Sequence, residues 1–268
     1  MMSIRNLFAK ARPDRSLRII RLDETDSTNH YLRDYRPGEG EDMTVVVADY
    51  QTAGRGQGTN TWESERGQNL LFSVLVHPVM VPVASQYLLS MAGSVALQSV
   101  LSTYADGFTV KWPNDIYWHD LKVSGTLIET TLGGGHIKDC IYGVGVNVNQ
   151  TRFPGSAPNP VSLCQIVGHE IDREQLLQQF VKMFRRCYAL LSEGAYGDVS
   201  ALYHDALYRR HGFWPYRDSH GSFEAAIVEV EDNGHLILRD RADIVREYAF
   251  KEVAFTLGST EPSKTNIK

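Results

Sequence analysis

Apolar residues in this chain fall into short runs, and the spacing within the runs changes several times. Residues 16–22, 44–50 and 69–76 are dense in Ile, Leu, Val and Phe over strand-like lengths, so each is predicted to be a strand. A polar turn over 23–29 and a short helix over 30–35 separate the first two. Between 84 and 104 the period lengthens. There Leu88, Ala92, Val95, Ser99 and Tyr104, helped by Leu89, Ala96 and Val100, share one broad helical face. Strand spacing returns at 108–112, 116–118, 123–130 and 137–148. Pro113 stops the first of these, and Gly133-Gly134-Gly135 turns the last pair. Pro154, Pro158 and Pro160 mark a loop. Asp172 is a candidate helix N-cap, followed at helical spacing by Leu176, Leu177, Phe180, Phe184, Cys187, Tyr188 and Leu191. A second helix is predicted over 198–210. Beyond Gly212 only strands remain, at 223–231, 235–239 and 245–251, the first two joined by Asp232-Asn233-Gly234.

Strands and helices in this order, without regular βαβ alternation, predict an α+β fold with a mixed, mostly antiparallel sheet. A chain of 268 residues is long enough for one large domain, or for one large and one small. The expected division is a tail over 1–17, a large domain over 18–211, a small β-barrel over 212–258 and a tail over 259–268.

Composition then narrows the classes of function. A net charge of −5 and a pI near 6.0 speak against a nucleic-acid footprint, including one on the small barrel. Cys140, Cys164 and Cys187 are far apart and form no CxxC pair, which suits neither a disulfide framework nor zinc. Idle thiols in a reducing cytosol are expected. No apolar run approaches the roughly 20 residues that span a bilayer, and the N-terminal residues lack a signal peptide's apolar core. A cytoplasmic protein with no membrane contact is expected.

Five segments carry candidate chemistry. In Gln51-Thr-Ala-Gly-Arg-Gly-Gln-Gly-Thr-Asn-Thr-Trp62 the glycines Gly54, Gly56 and Gly58 follow a strand, and glycine lets backbone N–H groups turn toward anionic oxygens. Arg55 adds a planar cationic fork, and Trp62 a flat ring face. Those glycines also favour a loop that is mobile without ligand. The spacing is neither a P-loop nor a Rossmann fingerprint. A glycine-rich surface loop beside a core tryptophan fits the same residues. Lys111-Trp-Pro-Asn-Asp115 reads as a hairpin turn, or as an amide and a carboxylate beside phosphate-bound magnesium with Lys111 neutralising charge. In Lys122-Val-Ser-Gly-Thr-Leu-Ile-Glu129, Gly125 allows a ligand close to the strand that Lys122 begins. A lysine there suits negative charge building on a transferring acyl or phosphoryl oxygen, although most lysines are simply solvated. Gly143-Val-Gly-Val-Asn147 leaves one strand face almost bare, and Asn147 either reaches a ligand or satisfies a strand end. Asp26-Ser27-Thr28-Asn29 reads equally as a capped turn. There is no defensible Ser-His-Asp order, paired-carboxylate spacing or histidine cluster.

Together and in this order, the five segments resemble the biotin–protein ligases, or holocarboxylase synthetases, of the monofunctional bacterial type without a DNA-binding domain. Ile171-Asp-Arg-Glu174 is similar to the entry into that family's last catalytic helix. The resemblance implies a class II synthetase-like catalytic domain, shared with lipoate ligases, followed by an SH3-like barrel. It also implies a two-step reaction. Biotin's carboxylate attacks the α-phosphate of MgATP to give biotinyl-5′-AMP, and a lysine of a biotin carboxyl-carrier domain then takes the biotinyl group.

By the same resemblance, Ser27, Thr28, Asn29 and Gln51 hold biotin's ring. Gly54, Arg55, Gly56, Gln57 and Gly125 lie along its tail and the phosphate, and Lys122, the catalytic candidate with Arg55, contacts the carboxyl or adenylate oxygen. Trp62 stacks near adenine. Lys111, Asn114, Asp115 and Asn147 serve nucleotide and magnesium; Mg²⁺ is held through the ATP phosphates, with Asp115 a candidate ligand. The partner is a biotin-dependent carboxylase, with no DNA and no membrane, and relatives that dimerise through the central sheet leave a homodimer open. A lipoate or octanoate ligase on the same fold, and a sensor that binds biotin without ligating it, are the alternatives.

The loop departs from its relatives by having Gln57 where many carry arginine, with further basic residues common at Gly58 or Asn60. Fewer positive charges weaken the hold on an adenylate. Gln57→Arg is therefore expected to slow release of biotinyl-5′-AMP, measured as an off-rate; an unchanged or faster rate would contradict this.

Overall fold

The protein is described by a computed structural model over residues 16–154 and 159–256. The C-terminal tail, most of the N-terminal tail and Pro158 of the predicted loop lie outside the described residues. The chain divides into two compact units between Tyr208 and Arg209.

The first unit is built on seven strands. They are β1 (Leu17–Leu22), β2 (Met43–Ala48), β3 (Leu70–Val76), β4 (Phe108–Lys111), β5 (Asp115–Trp118), β6 (Leu121–Gly133) and β7 (His136–Val146). They lie side by side in the order β1-β2-β3-β7-β6-β5-β4. The β1–β2 pair is parallel because helix α1 (Thr28–Asp34) lies between them in the chain; every other pair is antiparallel. The predicted mixed, mostly antiparallel sheet is present, and the strands fall within a few residues of their expected bounds. β3 is buried along its whole length, which is why it reads as a continuous apolar run.

The alternation of glycine and large residues along β7 decides what packs on each face. Tyr142 points to helices α2 (Tyr87–Leu101) and α4 (Arg173–Ser192). A Cβ on Gly93 of α2 would sit 2.2 Å from the Tyr142 ring, and of α4 Phe180 lies stacked and Phe184 tilted to that ring, at centroid distances of 6.5 and 5.6 Å. On the opposite face Gly143 meets α1. The helix predicted with one apolar face is instead buried on all sides from Leu88 to Leu97, because α4 and α5 (Tyr196–Asp205) pack on it as well as the sheet. It starts at Tyr87 after a 3₁₀ turn, so Tyr104 lies beyond its end. Asp172 caps α4 as predicted, accepting from the backbone N–H of Glu174 at 2.8 Å and of Gln175 at 3.1 Å. A short helix α3 (Leu163–Val167), framed by a Ser162–Gln165 capping box, had no periodicity long enough to announce it.

The second unit is a five-stranded antiparallel sheet in the order β11-β10-β9-β8-β12, built from β8 (Trp214–Asp218), β9 (Gly221–Val230), β10 (Leu236–Asp240), β11 (Val245–Tyr248) and β12 (Ala254–Phe255). Tyr216, Ile227, Leu236 and Leu238 form its core. Among the described residues the ladder does not close from β12 back to β11. β8 and β12 were not predicted individually, since one holds a proline and the other spans two residues.

All three cysteines are free, and burial pushes the Cys140 and Cys187 thiols up to about 12, so both are inert. Among the described residues no helix is long and apolar enough to cross a membrane.

Candidate functional site

Three glycines give the sheet a bare patch. Gly145 pairs with Gly125 across β7 and β6, and Gly143 pairs with Leu127 one step along. Side chains from elsewhere lie directly on the patch. A Cβ on Gly143 would be 2.1 Å from Asn29 Oδ1, and one on Gly145 would be 2.4 Å from the Trp62 indole. A Cβ on Gly125 would lie 3.0 Å from the same indole, 3.3 Å from Lys122 Nζ and 3.4 Å from Asp115 Oδ1. The patch thus brings Asn29, Trp62, Lys122 and Asp115 within reach of one bound molecule.

Trp62 is delivered by the glycine-rich segment. Rather than an irregular loop, residues 54–62 form a small hairpin. Trp62 N donates to Gly54 O at 3.0 Å, Gly56 N donates to Asn60 O at 2.8 Å, and Arg55 bridges Thr61. Gly54 is required because a Cβ there would lie 2.2 Å from the Trp62 carbonyl oxygen. Gly58 has φ 69°, a left-handed turn position that glycine adopts freely. Gln57 accepts from Asn60 N at 3.4 Å and so lies at the hairpin tip. The Trp62 Nε1–H is buried without a hydrogen-bond partner among the described residues, leaving a donor for a ligand.

At the other end of the patch the Asp26–Asn29 segment enters α1. Asp26 accepts from Ser27 N at 2.6 Å and bonds His30. The His30 hydrogen bond is the largest influence holding the Asp26 carboxyl below its ordinary value. Ser27, Thr28 and Asn29 are buried. Gln51 Oε1 accepts from Thr28 N at 2.7 Å and from Thr28 Oγ1 at 3.1 Å. The Ser73 hydroxyl reaches Thr28 Oγ1 at 2.7 Å and Asn29 Oδ1 at 2.6 Å, and Asn29 Nδ2 donates to Leu127 O at 3.2 Å and Glu129 Oε2 at 2.9 Å. This buried polar network can read a neutral group rich in donors and acceptors.

Charge is placed around it. Glu129 Oε1 accepts from both Arg33 and Arg55, each at 2.8 Å. Burial pushes the Glu129 carboxyl up, but hydrogen bonds from Asn29 and Arg55 and the charges of Arg55 and Arg33 outweigh it and hold it below the usual range. Lys122 Nζ lies 2.7 Å from Asp115 Oδ2. Lys111 is paired across the turn with Asp115, its ammonium 4.7 Å over the Tyr117 ring and 3.2 Å from the Tyr117 hydroxyl. Asn114 donates to Thr126 O at 2.9 Å, which pins the turn to β6. Asn147 is buried and its amide lies 3.4 Å from Lys122 O and 3.3 Å from Val161 O. It therefore holds the backbone that carries Lys122.

The buried Tyr203 and the half-buried Tyr87 steady the Lys111–Asp115 turn. Tyr203 OH donates to Pro113 O at 3.0 Å, Tyr87 OH bonds the same carbonyl, and the two hydroxyls are 2.8 Å apart. Tyr203→Phe should lose about 1 kcal/mol of stability, read as a lower midpoint of denaturation; an unchanged midpoint would contradict this. The sequence reading did not assign a role to Ser73, Arg33, Glu129, Tyr87 or Tyr203. Ser73 had a visible mark, as the lone polar residue in Leu-Leu-Phe-Ser-Val-Leu-Val; the tyrosines had none.

This site lies within a recognised family. The biotin/lipoate A/B protein ligase family matches residues 22–147. The chain is 30% identical over 236 residues to the biotin–[acetyl-CoA-carboxylase] ligase of Paracoccus denitrificans, covering 82% of this chain and 94% of that protein. It is 28% identical over 231 residues to the bifunctional ligase/repressor BirA of Bacillus subtilis (strain 168), covering 85% of this chain and 70% of that one. Among solved structures, the biotin protein ligase from Aquifex aeolicus in complex with biotin and ATP superposes with TM-score 0.73 at 25% identity, covering 90% of this chain and 99% of that one. The chain belongs to the biotin protein ligase branch of the biotin/lipoate A/B protein ligase family.

Proposed function

We propose that the protein joins biotin to AMP at the expense of ATP and then transfers biotin to a lysine of a carboxylase's biotin carboxyl-carrier domain. The observation that carries this reading is the convergence of Trp62, Lys122 and Asp115 on the glycine patch, next to a buried amide and hydroxyl network.

In this reading, Thr28 and Gln51 of the network, with Ser27 beside them, hold the ureido ring. The tail runs along Gly54, Arg55, Gly56, Gln57 and Gly125, toward Lys122. A carboxylate oxygen of biotin attacks the α-phosphorus, the bond to the β-phosphate oxygen breaks, and pyrophosphate leaves. Lys122 and Arg55 supply positive charge where negative charge gathers on the transferring oxygens. Trp62 offers the adenine a face to stack on. Asp115 keeps Oδ1 directed at the patch while Oδ2 is held by Lys122, so a hard oxygen donor faces the phosphates. Bound with ATP there, Mg²⁺ supplies charge neutralisation for the leaving pyrophosphate. Lys111 and Asn114 order the turn that presents Asp115. In the second step the carrier lysine's amine attacks the acyl carbon, AMP departs and the amine loses a proton. The nucleophile comes from the partner, which accords with the lack of a Ser-His-Asp order in the chain.

The unpaired thiols support a reducing, cytoplasmic setting. The acidic balance supports ligation without DNA binding.

ATP–pyrophosphate exchange with Mg²⁺ tests the reading, comparing biotin, lipoate and octanoate. Stimulation by biotin alone is expected. Stimulation by lipoate or octanoate instead would keep the fold and reject the substrate. Tight biotin binding without exchange would favour a sensor.

A further inference from the structure

The cluster at Glu129 holds one more cation than the proposed chemistry uses. Arg33, near the end of α1, and Arg55, on the hairpin, both lie 2.8 Å from the same oxygen, Glu129 Oε1. The other oxygen stays with the buried Asn29 amide at 2.9 Å. The Glu129 side chain is 25% exposed, against 47% for Arg33 and 41% for Arg55. The carboxylate is thus the member that tolerates isolation least. Stripping a half-buried charge of its partner costs more than the pair contributes when intact. With Arg33 in place, Arg55 can turn to another anion while Glu129 keeps a cation.

We propose that Arg33 is a positioning residue that holds Glu129 when Arg55 swings to the ligand's carboxylate or phosphate group. Glu129 parks Arg55 in the free protein, and Arg33 lowers the cost of its release. This rests on the biotin-ligase reading, which gives Arg55 the anionic end of the ligand. The handover exchanges ion pairs: as Arg55 leaves, Glu129 keeps Arg33 on Oε1 and the Asn29 amide on Oε2.

The two sides of the cluster then have opposite signs. Arg33→Gln leaves Arg55 as the sole cation on Glu129, so ligand binding weakens. Glu129→Gln keeps one acceptor for Asn29 but no charge for Arg55, so Arg55 is free and binding tightens. The probe is biotinol-5′-AMP, a non-hydrolysable phosphodiester analogue of biotinyl-5′-AMP, titrated calorimetrically into the full chain. Arg33→Gln should raise Kd and Glu129→Gln should lower it, each about fivefold, the size of one partly exposed ion pair. Arg33→Lys should stay near wild type. The double variant should match Glu129→Gln alone, because Arg33 acts only through Glu129.

A structural role alone would weaken binding in both single variants. That result, an unchanged Kd in Arg33→Gln, or additive effects in the double variant would overturn the proposal while wild-type binding and exchange leave the ligase reading standing. A wild type that neither binds the probe nor shows biotin-stimulated exchange would remove that reading, and the proposal with it.

Discussion

Lys122→Gln is expected to reduce biotin-dependent ATP–pyrophosphate exchange by about 10²–10³-fold, the usual loss when one preorganised group stabilising transition-state charge is removed. Glutamine keeps much of the reach of lysine but not its charge. Lys122 Nζ sits 2.7 Å from Asp115 Oδ2 and 3.3 Å from where a Gly125 side chain would begin. Its ammonium therefore stands at the edge of the bare patch, held in place by Asp115 from one side and by Asn147 through its own carbonyl. The ion pair is partly exposed, so its loss should change stability by less than about 1 kcal/mol. A melting temperature close to wild type together with the collapse of exchange would separate chemistry from folding. Binding of biotin alone should fall far less than the rate, because the site proposed for the ring is the Thr28–Gln51 network and does not include Lys122. Exchange within tenfold of wild type would reject Lys122 as the residue that meets the reacting oxygens.

Much of this could be read from the sequence because the site is made of short local segments. Gly143-Val-Gly-Val-Asn147 announces a strand with one bare face before any partner is known, since side chains alternate along a strand. Asp172 announces a helix start because capping depends on the next three residues. What could not be read depends on pairs far apart in the chain. Ser73 meets Asn29 because β3 lies beside β7, and that adjacency belongs to the sheet order. Tyr87 and Tyr203 meet at Pro113 only when α2 and α5 are both packed. The burial of α2 on every side was hidden for a related reason. A broad apolar stripe predicts one covered face, and the second cover comes from α4 and α5, a hundred residues or so later in the chain. Glu129 was inside a quoted motif, yet its importance comes from three donors on two other segments.

Gly145→Ala is expected to damage the proposed nucleotide side of the site while sparing the proposed biotin side. The added Cβ would lie 2.4 Å from Trp62 Cε2, 2.7 Å from Nε1 and 2.8 Å from Cδ2, all closer than real contacts allow. Strand β7 cannot yield, because Gly145 is paired with Leu71 on one side and Gly125 on the other. Nor is the backbone strained by alanine, since Gly145 is absent from the positive-φ positions. The indole must therefore lift off the patch. A base loses about 1–3 kcal/mol when an aromatic stacking partner is removed, so KM for ATP should rise roughly 5- to 150-fold. Asn29, which lies over Gly143, keeps its bonds to Ser73, Leu127 and Glu129, and KM for biotin should change little. Trp62→Ala should reproduce the defect, and combining the two should add almost nothing, because the new methyl group would then meet no ring. If Gly145→Ala raised both KM values equally, or if it compounded the Trp62→Ala defect in full, the patch would be supporting the strand itself, and the indole would not be the feature that the glycines exist to seat.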